Sequence, residues 1–73
     1  MKNLKERYVG QNLKKLRKKK EKTVKEVSIE TGLAISTIQD IENEISFSNY
    51  IDTIVTLSKY FGVKVHDFVY KKF

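Results

Sequence analysis

The sequence predicts an all-α fold, a compact bundle of four or five helices forming one domain over residues 1–73. Three observations predict it. There is no proline and there are only three glycines, at positions 10, 32 and 62, so long stretches can be helical without a breaker. Inward-facing residues recur at three- and four-residue spacing, most clearly at Ile51, Ile54, Val55, Ser58 and Phe61. There is no cysteine, so neither a disulfide framework nor a thiolate metal site can staple the chain. Stability then rests on helix packing. A hydrophobic fraction of 40% supports one small core but no deep catalytic cleft, and dimerisation would be a useful extra source of burial.

The first helix is expected from about Lys5 to Lys20. Val9, Leu13, Leu16 and Lys20 form its stripe, the lysine stem covering one end. Gly10 lies inside this helix, either to let another backbone approach closely or as a tolerated weak spot. Thr23 suits the N-cap of a second helix, and Glu26 three residues later completes a capping box. That helix has Val24, Val27 and Ser28 inside and ends by Thr31, with Gly32 free to turn left-handed. The third helix covers about Ile35 to Asn43. Ile38 and Ile41 face inward with Glu42 beside them, and Ile35, Ser36, Gln39 and Asp40 face outward. A polar loop through Ser46 and Ser48 follows, with Phe47 able to plug the core. The fourth helix runs from about Tyr50 to Tyr60 and stops at Gly62. Val65 to Val69 read either as a short closing helix or, from their β-branched content, as part of a strand over Val63–Val69.

Charge is unevenly spread. Residues 14–22 carry seven basic side chains and one acidic one, a net +6, whereas residues 1–13 carry +2 and residues 23–73 carry −2. A basic segment on a neutral-to-acidic body steers a protein toward a polyanion. The alternative is a solvated, lysine-rich helix face that serves solubility. No apolar run approaches the roughly 20 residues needed to cross a membrane, and no signal peptide is visible. The expectation is a soluble cytoplasmic protein without a membrane partner.

The second and third helices, hinged at Gly32, have the layout of a helix-turn-helix, whose second helix can lie in the major groove of duplex DNA. Base-reading candidates are Ile35, which can meet a thymine methyl group, Ser36, Gln39, which can pair with adenine, and Asp40, which can only accept when ionised. Phosphate-contact candidates are Lys14, Lys15, Lys18 and Lys19, with Thr23, Thr37 and Asn43 as neutral contacts. The lysines circle the first helix, so only a subset can face one duplex. The same outer face of the third helix also suits packing against a protein partner. Arg17 and Glu42 are a candidate structural bridge between the first and third helices, the alternative being two unrelated surface charges. Tyr60, Val65, His66, Val69, Tyr70 and Phe73 form a candidate homodimer seam, unless Phe73 folds back over the core.

Catalysis finds little support, and no enzymatic activity, cofactor or metal is expected. His66 is the only histidine, and the adjacent Asp67 does not face it along a helix. There is no glycine-rich phosphate loop, zinc spacing or EF-hand pattern.

The chain resembles the lambda-repressor-like helix-turn-helix family, in particular its small Cro-type (XRE-type) DNA-binding domains. The resemblance covers about residues 9–69 and rests on Leu13, Leu16-Arg17, Val27, Gly32-Leu33, Ser36-Thr37-Ile38, Ile41-Glu42, Phe61-Gly62-Val63 and Phe68-Val69. It implies a four- or five-helix fold, sequence-specific binding of double-stranded DNA by a transcriptional regulator, most often a repressor, and a homodimer on a palindromic operator. It also supports the Arg17–Glu42 bridge. Five positions depart from the family pattern. Val24 replaces a frequent DNA-contacting glutamine, and Ala34 the usual capping serine. Lys22 stands where an apolar staple is frequent, and Glu44 replaces a frequent glycine. Asp40 occupies a position that is often basic or an amide. These departures leave the fold intact, weaken the carry-over of a particular DNA sequence, and leave room for the alternative of a helical protein-interaction module that has lost strong DNA binding.

Overall fold

In a computed structural model, residues 7–44 and 51–73 are described, and they form five helices without a strand. In chain order these are α1 (Val9–Lys19), α2 (Val24–Thr31), α3 (Ile35–Glu42), α4 (Ile51–Phe61) and α5 (Val65–Tyr70). Val9 and Leu13 of α1, Val27 of α2, Ile38 and Ile41 of α3, Ile54 and Leu57 of α4, and Phe68 and Val69 of α5 converge in one core. Each contributes about 1.5–3 kcal/mol relative to an exposed side chain. Leu16, Val24, Leu33, Tyr60, Phe61 and Val63 pack around it.

The helix ends follow from local chemistry. The Thr23 hydroxyl accepts the Glu26 N–H at 3.1 Å and Glu26 Oε1 accepts the Thr23 N–H at 2.8 Å, so both halves of the capping box are present. Gly32 ends α2 at φ 80°, and Gly62 follows α4 at φ 71°, both left-handed. The 65–70 segment is helical, because Phe68 and Val69 reach the core from one face of a single turn-and-a-half helix.

Some expectations change. α1 begins at Val9 rather than Lys5, and the backbone N–H of Tyr8, just before it, donates to the Val69 carbonyl of α5 at 2.6 Å. Ile51, expected inside, is 60% exposed; Ile54, Leu57 and Ser58 turn the inward row of α4 away from it. The expected loop residues Ser46, Phe47 and Ser48, and Tyr50 at the start of the fourth helix, lie outside the described residues.

Gly10 is a site of close approach. A Cβ built there would meet Glu44 Cγ at 2.5 Å and the Ile41 carbonyl at 2.6 Å. The glycine lets α1 and α3 touch backbone to backbone. Asn12 is a residue that hydrophobic patterning passed over. It is fully buried, and its Nδ2 donates to the carbonyls of Phe68 at 2.7 Å and Lys71 at 2.6 Å. Its Oδ1 accepts the Phe73 N–H at 3.3 Å. Asn12 thus satisfies the orphan carbonyls at the end of α5 and holds the tail against α1.

Candidate nucleic-acid interface

Ile38 and Ile41 anchor the back of α3 in the core, and Thr37 beside them is half-buried. On the opposite side Ser36, Gln39 and Asn43 follow one another at helical spacing and are exposed. Ile35, 41% exposed, and half-buried Asp40 flank this crest. The four base-reading candidates therefore share the outward side of α3. Thr37 lies behind it, and Thr23 is already engaged in its capping box.

A bidentate ion pair fixes this helix to α1. Arg17 Nε donates to Glu42 Oε2 at 2.7 Å, and its Nη2 donates to Glu42 Oε1 at 3.1 Å. Its Nη1 donates to the Lys22 carbonyl at 3.0 Å, tying in the α1–α2 turn. The side chains are 15% and 6% exposed. The hydrogen bonds to Glu42, and then its charge, raise the Arg17 pKa against the opposing effect of burial. The fork geometry sets the angle of α3 as well as its distance.

The departures from the family pattern have visible consequences. Ala34 caps α3 without a side-chain hydrogen bond, and the Thr37 N–H turns to the Ala34 carbonyl at 3.1 Å. Glu44 takes the left-handed conformation, φ 57°, that glycine adopts more cheaply. Lys22, in place of a staple, pairs with Glu30 at 2.8 Å. Tyr60 donates its hydroxyl to the other oxygen of Glu30, and Lys20 Nζ sits 5.2 Å from the Tyr60 ring centroid. The hydrogen bonds from Lys22 and then Tyr60 lower the Glu30 pKa, and that to Glu30 raises the Lys22 pKa.

The four lysines expected to contact phosphate are all exposed but divide between two sides of α1. At about 100° per residue Lys14 lies roughly 50° and Lys18 roughly 90° around the helix from the Gly10–Arg17 edge that meets α3. Lys15 lies toward α5 and donates to the Phe73 carbonyl at 2.6 Å, and Lys19 is one turn further along that edge.

Four of the six expected dimer-seam residues share one groove. Val65, His66, Val69 and Tyr70 line a groove of about 200 Å³ with Ile51 and Ile54. Tyr60 is drawn away by Glu30, and Phe73 is held by Asn12 and Lys15 on the α1 side. Val69 is only 6% exposed and forms the groove floor, whereas Val65 and Tyr70 are 41% and 52% exposed. Exposed Ile51 belongs to this groove, which sequence spacing missed by turning Ile51 inward.

The paired helices α2 and α3, the left-handed Gly32 between them and the outward crest of α3 define a helix-turn-helix domain, the class that presents its second helix to DNA. A family model for the helix-turn-helix domain matches residues 10–69, and the chain belongs to that family. The match is consistent with the small XRE/Cro type. No curated protein and no solved structure matches the chain significantly. Among the described residues no helix is long and apolar enough to cross a membrane, and no cluster of His, Cys, Asp and Glu has a metal-binding arrangement.

Proposed function

We propose that this domain is a sequence-specific, double-stranded DNA-binding transcriptional regulator that represses by occupying its operator in the cytoplasm. The observation that carries the reading is the exposed polar crest of α3, held rigidly by Arg17–Glu42 on one side and by buried Ile38 and Ile41 behind. In the major groove Gln39 offers an adenine its amide, Ser36 a hydroxyl, Ile35 a surface for a thymine methyl group, and Asp40 an acceptor for cytosine N4. Lys14 and Lys18, with Asn43 at the end of α3, meet the flanking phosphates. Thr23 and Thr37 contribute at most secondary contacts. The α4–α5 groove pairs with its copy in a second protomer, so that two α3 helices address inverted half-sites of a palindrome about 34–36 Å apart.

Selection of bound sequences from a random duplex pool tests this. The expected result is an inverted repeat for the intact domain and a changed base preference for Ser36→Ala and Gln39→Ala, with discrimination lost by about 1–3 kcal/mol per direct contact. A pool that returns no preferred sequence would favour the second reading, a protein-interaction module. The acidic side chains of Asp40 and Glu44 at the end of α3, which carries no basic residue, favour that alternative. Promoter occlusion in a reporter assay separates repression from activation.

A further inference from the structure

We infer that the flank of α1 facing away from α3 is a second contact surface for duplex DNA, built from Lys15, Lys19, Lys71 and Lys72. The placement follows from contacts already described. Gly10 and Arg17 mark the edge of α1 that touches α3. At about 100° per residue, Lys15 and Lys19 lie roughly 160–200° around the helix from Arg17. They are thus on the side of α1 away from the edge that holds α3. Asn12 and Lys15 then bring a remote part of the chain to that same edge. Asn12 binds the Lys71 carbonyl at 2.6 Å, and Lys15 Nζ the Phe73 carbonyl at 2.6 Å, so the tail bearing Lys71 and Lys72 runs beside α1. All four lysines are exposed. Lys15 commits one of its three ammonium hydrogens to Phe73 and keeps the others outward.

The chemistry of this edge favours a phosphodiester backbone. It is an array of flexible point charges, suited to oxygens repeating along a strand and indifferent to base sequence. A protein partner would need a buried apolar or aromatic anchor. Of the exposed large apolar side chains, Ile29 and Ile35 belong to α2 and α3, and Ile51, Val65 and Tyr70 lie at the α4–α5 groove; Phe73, which does lie beside this edge, is half-buried. The surface gives one domain two places for DNA, the crest of α3 and the lysine edge, so that it draws a second segment toward an occupied site. The lysine edge does not depend on α3 being the element that reads sequence.

The test uses the full chain in three forms: wild type, a variant blocked on α3 (Ser36→Glu with Gln39→Glu), and that variant with Lys15, Lys19, Lys71 and Lys72 changed to glutamine. Thermal melts establish that each is folded, and a fourth form with Lys14, Lys18, Lys25 and Lys64 changed to glutamine on the blocked background controls for the loss of four charges elsewhere. Binding to a duplex of arbitrary sequence is measured from 50 to 200 mM salt. The blocked variant retains binding that weakens about 100-fold across that range, as about four phosphate contacts require. The variant without Lys15, Lys19, Lys71 and Lys72 loses it, and the control without the other four lysines keeps most of it. Wild type retains a free labelled duplex on beads carrying a second duplex, and Lys15, Lys19, Lys71 and Lys72 replaced in the wild-type background abolish this bridging. Absence of duplex binding by the blocked variant, or equal losses in the two lysine sets, overturns the inference. So does stronger competition by an acidic polypeptide than by duplex, which would reassign the edge to a protein. If the blocked variant keeps the full sequence preference, the reading of α3 fails while the second surface stands.

Discussion

α1 is held differently on its two flanks. Toward α3 the contact is between side chains of opposite charge and between two backbones at Gly10. Toward α5 it is a neutral amide, Asn12, bound to main-chain groups. The first arrangement fixes orientation, because a guanidinium and a carboxylate pair well in one plane only. The second fixes position but tolerates almost any sequence in α5, since every residue supplies a carbonyl. The flank that must present α3 at a definite angle is thus the one specified by particular side chains.

The largest expected effect comes from breaking the α3 flank. Arg17→Met leaves a Glu42 carboxylate 6% exposed and unpaired, and about 3–5 kcal/mol of stability should be lost. Glu42→Gln should lose less, because the amide oxygen still accepts from Arg17. The double variant Arg17→Met with Glu42→Leu should recover much stability without recovering DNA binding. Chemical denaturation and DNA titration of the set check this. Purely additive losses in stability would show that the two groups are not coupled.

Gly10→Ala should cost about 1–3 kcal/mol, because one of the atoms it meets is the Ile41 carbonyl, which cannot swing aside as a side chain would. The same substitution should weaken specific binding by tilting α3, measured as a reduced ratio of specific to non-specific affinity. On the other flank, Asn12→Ala strips partners from the Phe68 and Lys71 carbonyls and should cost about 1–2 kcal/mol. Amide exchange in Lys71–Phe73 should quicken in that variant, while α3 keeps its protection. Equal loosening of α3 would mean that the two flanks are not independent.

The contrast explains what was legible in advance. Helix pairing, the capping box at Thr23, the turn at Gly32 and the inward pair Ile38 and Ile41 all follow from local periodicity and turn chemistry. The significance of Gly10 did not, since a glycine in a helix is open to opposite readings until its neighbour is known. Asn12 was invisible because a buried amide looks like any polar residue when only apolar spacing is counted. That the lysines of α1 cannot all face one duplex follows from helical spacing, but which subset does so depends on where α3 and α5 dock. Gly10 and Asn12, the residues that decide that docking, precede those lysines on the same helix and carry no charge.

The smallest effect lies at the edge of the reading half, where Glu30 joins Lys22 and Tyr60. Its pKa is lowered, by the hydrogen bond from Lys22 first and that from Tyr60 second. A carboxylate with a lowered folded-state pKa contributes stability above its ordinary pKa and loses it as pH falls through the lowered value. Lys22, raised by its hydrogen bond to Glu30, contributes below the ordinary lysine pKa and loses that contribution as pH rises through the raised value. The pair is therefore fully effective at neutral pH and fades at both extremes. Glu30→Gln should lower the melting temperature slightly at pH 7, by less than Asn12→Ala does, and the difference from wild type should shrink toward pH 3. It should also shrink in 1 M salt, because Lys22 and Glu30 face water and the screening length falls to about 3 Å. A difference that persists unchanged in acid and in salt would assign the effect to packing of Tyr60 rather than to the charge on Glu30.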